Sequence, residues 1–429
     1  MEARRFSRWN FRMGTSVRCV HIKFLKTISV EELKNLLNQI PEIILEDEYL
    51  SLEDSFNRVL AKDIKSPIDV PHFRKSRMDG YAVIAEDTFT ADENNSIRLE
   101  LIEQIQAGDA PKKIIKKGQT AYVATGAAIS EGANAVVMIE FSEIDGNNVY
   151  ISTAVTPGTH VISIGHDIKK DDIICKKGTL IDLPTLGLLS ACGISNVSVI
   201  KKPIVSLIST GNELVTPDIT ELQTGKIYDV NSNILKKAIQ IAGAEVQYLG
   251  IVQDNFEELK NAIDTGLKKS DIVILSGGTS KGEGDFGPQV LATYKNIEIM
   301  VHGVRIKPGK PFIFAKINDK VVFILPGYPT SALSCYYVFI ENFIRKCAGF
   351  PLKERNSMIL EIGERIYSTV GRHEFKPVKI EIINGKKLLF PIKTGSEAIS
   401  TLFHADGYIE VEELEAIVEK GDQRRVFLF

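Results

Sequence analysis

Cysteine and histidine are scarce in this chain of 429 residues, and those present are dispersed. The five cysteines (Cys19, Cys175, Cys192, Cys335, Cys347) are odd in number and form no C-x-x-C pair, which excludes a disulfide framework and the usual zinc modules. The seven histidines never fall in H-x-x-x-H, so a zincin-type metal centre is excluded. No Ser-His-Asp or Cys-His arrangement offers a nucleophile for acyl transfer. No apolar run approaches the ~18 residues that cross a bilayer. A net charge of −3 supplies no general attraction to nucleic acid or to a membrane surface, so neither is expected as a partner. Unpaired cysteines fit a reducing compartment, and the expected location is cytoplasmic.

What is present is the composition of a soluble globular protein, 44% hydrophobic and 25% charged. Its length exceeds one ordinary core, so roughly three or four domains are expected. The first 26 residues carry seven basic side chains (Arg4, Arg5, Arg8, Arg12, Arg18, Lys23, Lys26) against one acid, Glu2. They read as a basic, disordered extension, with an organelle-targeting sequence as the alternative.

The ordered chain is expected from Ser29, where SVEE opens a capping box before the apolar face Leu33, Leu36, Leu37, Ile40. A second helix is expected over Leu52–Leu60, burying Leu52, Phe56, Val59 and Leu60. Short strands and turns (RLELIEQI, TAYVAT, AVVMIEF, NNVYIST) follow from 66 to 160 before a helix at Pro184–Cys192. The reading is a β-rich domain (66–160) inserted into a discontinuous first domain (27–65 and 161–200). Residues 201–350 alternate Val/Ile/Leu-rich strands with amphipathic helices, the pattern of a three-layer α/β domain with a mostly parallel sheet. Residues 351–429 alternate apolar and polar positions, as in a small β sandwich or barrel. The fold class is therefore multidomain α/β plus β.

Within the α/β segment, SGGTSKGEGDFGPQVL (276–291) contains GEGDFG, which fits G-x-G-x-x-G. A dinucleotide turn would begin directly at the strand end and be followed by an acid about 20 residues on. Here SGGTSK intervenes, Val304–Ile306 offers no acid, and Glu283 and Asp285 would repel a pyrophosphate. SGGTS is the better anion loop: Gly277 and Gly278 let backbone N–H groups turn toward a phosphate, and Ser276, Thr279 and Ser280 add hydroxyls. Glu283 and Asp285 are then candidates for a divalent cation facing that phosphate. The plain alternative is a solvated glycine-rich loop.

Other loops fall at strand ends in the same domain. KPGKP (307–311) presents Lys307 and Lys310 on a chain stiffened by two prolines. LPGYPTS (325–331) opens a helix behind Pro326 and Pro329. STGNEL places Glu213 after a buried strand, IVQDN places Asp254 after another, and YDVNSN adds Asp229 with amides that bind a ligand or cap a helix. Outside this domain, SRMDGYAV carries Asp79 beside Arg77, and VATGAAISEGANAVV brings Thr125 and Gly126 after a strand. Each loop alone is an ordinary turn with surface charge. Together, basic and acidic loops on one sheet edge suit a polyanionic substrate held with a metal.

Taken in order and spacing, SRMDGYAV, TGAAISEGANAVV, STGNEL, YDVNSN, SGGTSKGEGDF, KPGKP and LPGYPTS resemble the molybdopterin molybdenumtransferase family, the MoeA-type enzymes related to the C-terminal part of gephyrin. The resemblance runs from about Thr27 to the end. It implies insertion of molybdate or tungstate into adenylylated molybdopterin with release of AMP, assisted by Mg²⁺ or another divalent cation. It also implies a homodimer with a cleft shared between subunits, and the molybdopterin-adenylylating enzyme and apo-molybdoenzymes as further partners. Carried over by motif, Asp79, Glu213, Asp254 and Asp285 would be catalytic, with Glu213 and Asp285 on the metal. Thr125, Ser276, Gly277, Gly278, Thr279, Ser280, Lys307, Lys310, Pro326 and Pro329 would bind substrate. Molybdopterin adenylyltransferase and a gephyrin-like scaffold are the alternatives. Two motifs depart from the family pattern. Tyr328 stands where LPGNP has asparagine, and Gly165–Ile173, with Lys169, Lys170 and Asp172, is shorter than the family's arginine-rich stretch.

Overall fold

The computed structural model describes residues 27–41, 43, 45–278, 286–395 and 397–429. The basic opening and the loop residues Thr279, Ser280, Glu283 and Asp285 lie outside the described residues. The chain divides into two compact units, residues 45–201 and the rest. Among the described residues, no helix is long and apolar enough to cross a membrane.

Helix α1 (Val30–Gln39) starts where the capping box requires: the Ser29 hydroxyl accepts from the Glu32 N–H and the Glu32 carboxylate accepts from the Ser29 N–H. Its buried Leu33 and Leu37 pack with Val205, Ile272 and Phe323 in the core of the α/β sheet. It therefore goes with that sheet and not with residues 45–65, with which the sequence grouped it. A capping box marks where a helix begins, not which surface its apolar face meets.

In the unit 45–201, β1 (Asp47–Ser51) pairs antiparallel with a later strand, Asn196–Ile200. The helix expected at 52–60 is replaced by turns. Asn57 adopts a left-handed φ of 58°, while Val59 and Leu60 bridge to Leu180 and Val199. Strand pairing takes the apolar residues that the helical spacing claimed, and Phe56 is left exposed. A six-stranded sheet follows, built from β2 (Gly80–Val83), β3 (Ile97–Ile105), β4 (Gln119–Val123), β5 (Ala135–Met138), β6 (Ser142–Asp145) and β7 (Asn148–Ile151), in the order β5-β2-β4-β3-β7-β6. Helix α2 (Leu183–Ala191), capped by Asp182, and β8 (Asn196–Ile200) close a separate small core around Leu60, Ile181, Leu189 and Val199.

The second unit contains β9 (Ile204–Thr210), α3 (Asn231–Ile241), β10 (Glu245–Val252), α4 (Phe256–Lys269), β11 (Ile272–Ser276), α5 (Phe286–Leu291), β12 (Ile297–His302), β13 (Ile313–Ile317), β14 (Lys320–Leu325), α6 (Pro329–Cys335) and α7 (Glu341–Cys347). One π turn, Tyr336–Ile340, joins α6 to α7. The sheet order is β10-β9-β11-β14-β13-β12. The first four strands are parallel and β13 runs antiparallel to both neighbours, so the sheet is mixed but mostly parallel. One face is covered by α1, α3, α6 and α7, the other by α4 and α5, which makes three layers.

The C-terminal strands β15 (Ser357–Ile362), β16 (His373–Ile383), β17 (Lys386–Pro391), β18 (Gly407–Val411) and β19 (Gln423–Leu428) close on themselves as β16-β17-β15-β19-β18-β16. Of the two forms expected, sandwich or barrel, the closed ring is the barrel. Closure leaves no strand edge unpaired around the core of Ile362, Val378, Leu389, Ile409 and Val426.

Candidate active site

In open α/β sheets, ligands lie beyond the carboxyl ends of the parallel strands. Four described loops leave that edge: Gly211–Glu213 after β9, Gln253–Asn255 after β10, Gly277–Gly278 after β11 and Pro326–Tyr328 after β14. Because β13 is antiparallel, its start lies at the same edge, with Ile313 opposite Ile324. KPGKP is thereby delivered beside the other loops.

Gly277 is required by close approach. Its φ is 107°, and a Cβ there would fall 2.2 Å from the Thr210 carbonyl oxygen. Its N–H donates to the Leu325 carbonyl at 3.0 Å. That donor is thus spent on the sheet, which corrects the expectation that the N–H groups of both glycines turn toward an anion. Gly278, at φ 67°, faces Thr210 and Asp254.

The acidic side is formed by Asp254 and Glu213. The Asp254 N–H donates to Asn212 Oδ1 at 3.1 Å, tying the β10 loop to the β9 loop. Burial pushes the Asp254 carboxyl above the usual carboxylate range, and the nearby Glu213 charge pushes it further, against a lowering by the Thr210 hydroxyl. Among the described residues its Oδ1 is buried without a hydrogen bond of ordinary geometry, although the neighbouring Thr210 hydroxyl acts on its charge. Glu213 beside it is an oxygen donor of the kind a hard divalent cation uses. Among the described residues there is no cluster of three metal-ligating side chains, and the expected third carboxylate, Asp285, lies outside them.

The hydroxyl of Ser276, 3% exposed, accepts from Asn231 Nδ2 at 2.9 Å. The same nitrogen donates to the Gly327 carbonyl at 2.8 Å. The sequence left the amides of Asn231 and Asn233 either to bind a ligand or to cap the helix. Instead Asp229 holds the start of α3, accepting from the Ser232 N–H at 3.0 Å while also accepting from the Ser209 hydroxyl at 2.6 Å and the Tyr248 hydroxyl at 3.0 Å. Among the described residues, Asn231 Oδ1, Thr210 Oγ1 and Thr330 Oγ1 are buried without hydrogen-bond partners along the same edge. Sequence reasoning missed Thr210 and Thr330; their only signal is a position directly beside a strand end or a proline turn.

On the basic side the two lysines separate. Lys307 Nζ lies 3.3 Å from the carboxylate of Glu374 and 2.9 Å from the Thr369 hydroxyl, both on the barrel. There it shares the one carboxylate with Lys376. Lys310 is half-buried and has no ion-pair partner among the described residues. Pro326 is buried, Pro329 is the first residue of α6, and Tyr328 precedes it 59% exposed without capping the helix.

Asp79 and Thr125 meet within the unit 45–201. Both are exposed, and Asp79 Oδ1 accepts from the Thr125 N–H at 2.7 Å. Gly80 beside them admits no side chain, since a Cβ would lie 2.0 Å from the Val137 carbonyl oxygen.

Family models for the MoeA N-terminal region (domains I and II), a probable molybdopterin binding domain and the MoeA C-terminal region (domain IV) match residues 28–193, 206–346 and 360–429. The chain belongs to the MoeA family. A Methanocaldococcus jannaschii protein named for molybdopterin biosynthesis is 37% identical over 95% of this chain and 97% of its own. The molybdopterin molybdenumtransferase of Haemophilus influenzae is 35% identical over 80% of this chain and 83% of its own. Two solved MoeA structures from Pyrococcus horikoshii match with TM-scores of 0.81 and 0.78, at 36% and 32% identity, covering 94% of this chain and 99% and 100% of theirs. Within this MoeA framework, Glu213, Asp254, Ser276, Lys310 and the two prolines share one sheet edge.

Proposed function

We propose that the protein is a molybdopterin molybdenumtransferase that inserts molybdate, or tungstate, into adenylylated molybdopterin and releases AMP. The observation that carries this reading is the buried oxygen of Asp254, beside Glu213, on the edge that also presents Lys310, neither with a partner among the described residues. Lys310 attracts the tetrahedral oxyanion. Asp254 takes a proton from the attacking water and so activates that oxygen toward phosphorus. Ser276, braced by Asn231, presents the edge of β11 to the phosphate-bearing substrate. A divalent cation, Mg²⁺ in the first instance, would be held by Glu213 with Asp285, and would offset pyrophosphate charge as the P–O bond breaks. The protein acts as a homodimer in this reading.

The test incubates the protein with adenylylated molybdopterin, molybdate and Mg²⁺. AMP release above a protein-free control, with product that reconstitutes an apo-molybdoenzyme, supports the reading. AMP at the control level overturns it, and consumption of ATP with molybdopterin alone would mark an adenylyltransferase instead.

A further inference from the structure

We propose that Asn231 is a positioning residue that fixes the spacing between the SGG turn after β11 and the PGYP turn after β14, and so governs binding of the organic substrate. The proposal rests on the transferase reading above. Asn231 is 9% exposed, and its Nδ2 donates to both turns at once, to Ser276 Oγ at 2.9 Å and to the Gly327 carbonyl at 2.8 Å. Among the described residues, no other side chain bonds to both. A carbonyl oxygen can only accept, so the NH₂ end must face Gly327 and the amide orientation is fixed by chemistry. Oδ1 is consequently left buried without a partner among the described residues.

The brace stands on a firm base. Asn231 is the first residue of α3, and the preceding Asp229 is held by the Ser209 and Tyr248 hydroxyls and by the Ser232 N–H. The turns it joins leave adjacent strands in register, Ser276 opposite Leu325. Beyond Leu325 the chain continues into Pro326 and the exposed Gly327, whose carbonyl the buried Asn231 holds. Lys310 belongs to a different loop that Asn231 does not touch. Loosening the brace therefore weakens the organic substrate and spares molybdate.

The experiment compares Asn231→Ala, the similarly sized and uncharged Asn231→Leu, and Ser276→Ala, which removes one acceptor. The KM for adenylylated molybdopterin and the Kd for molybdopterin, followed by fluorescence without turnover, rise about tenfold in both Asn231 variants, the scale of one or two hydrogen bonds. Both constants rise less in Ser276→Ala, and the KM for molybdate stays within about twofold, well under the tenfold of one such bond. A lower melting temperature with all constants unchanged, or a molybdate KM that rises in step, overturns the proposal. Absence of AMP release by the unaltered protein sinks only the transferase reading, because the molybdopterin Kd values compare the variants without it.

Discussion

Lys307 Nζ sits 3.3 Å from the Glu374 carboxylate, so the C-terminal barrel holds one of the two lysines of KPGKP. Glu374 is 3% exposed and also bonds the Ser368 hydroxyl at 2.8 Å and Lys376 at 3.3 Å. Burial alone would raise its pKa; Ser368, Lys376 and Lys307 outweigh that and hold it below the usual glutamate range. A lowered folded pKa contributes stability above the unfolded value, and that stability is lost as pH falls toward the folded one. Glu374→Gln is expected to cost roughly 2–4 kcal/mol at neutral pH, because it leaves two lysines facing a neutral group. The deficit shrinks on acidification through the glutamate range. Urea unfolding at pH 7 and pH 4 measures both quantities, and an equal deficit at the two values refutes the charge argument.

Lys310 and Lys307 should then differ in assay. Lys310→Ala is expected to raise the molybdate KM by an order of magnitude or more, the scale of a desolvated charge pair. Lys307→Ala acts chiefly on stability through Glu374. A larger rise in molybdate KM for Lys307→Ala would reverse this assignment.

Asp254 carries the opposite sign. Its pKa is raised, by burial first and then by Glu213, so its ionised form burdens the folded protein. Stability from this group is complete below the ordinary aspartate pKa and is lost as pH rises through the higher folded value. Asp254→Asn is expected to raise the melting temperature by roughly 1–3 °C at pH 7, a fraction of a kcal/mol in a unit of this size. The same substitution lowers turnover by about 100-fold, on the scale of a lost proton-transfer group. Calorimetry paired with AMP release checks the trade, and a variant that is both less stable and fully active contradicts it.

Much of this architecture was legible because period and punctuation agree. PIVSLIST, EVQYLGIV and DIVILSGG are Val/Ile/Leu-rich strands, and FEELKNAIDTGLKK forms the amphipathic helix between two of them, capped by Asn255. SLEDSFNRVL failed because helical spacing cannot register that Leu180 and Val199 lie across the chain to pair with Val59 and Leu60. Residues 297–302 and 313–317 were not read as strands; the second reverses direction and brings KPGKP to the site edge. In the site, the acids and glycines announced themselves by type. Lys307 and Asn231 did not, because a sequence shows a charge or an amide without showing which distant group, Glu374 or Gly327, it will meet.

Asp79→Asn separates two roles of one carboxylate. Asparagine retains an acceptor for the Thr125 N–H, now 2.7 Å from Asp79 Oδ1, but loses the charge. Stability is expected to stay within about 0.5 kcal/mol, as for an exposed position, while AMP release falls by roughly 100-fold. Asp79→Ala loses the loop bond as well and costs about 1 kcal/mol. Full activity in the asparagine variant would reduce Asp79 to a loop fastener.

Tyr328 offers a gain of stability. It occupies the N-cap of α6 with φ −68° and ψ 129°, the extended geometry that caps require, yet it makes no side-chain bond to the helix. Its ring is 59% exposed, so little packing is lost when it is replaced. Tyr328→Asn, the residue that the LPGNP pattern carries, supplies a side-chain oxygen to the N–H groups of the first turn. The expected gain is about 0.5–1 kcal/mol. A shift of the urea midpoint upward with an unchanged slope would show it. A downward shift would mean that the phenol packs on something a cap cannot replace.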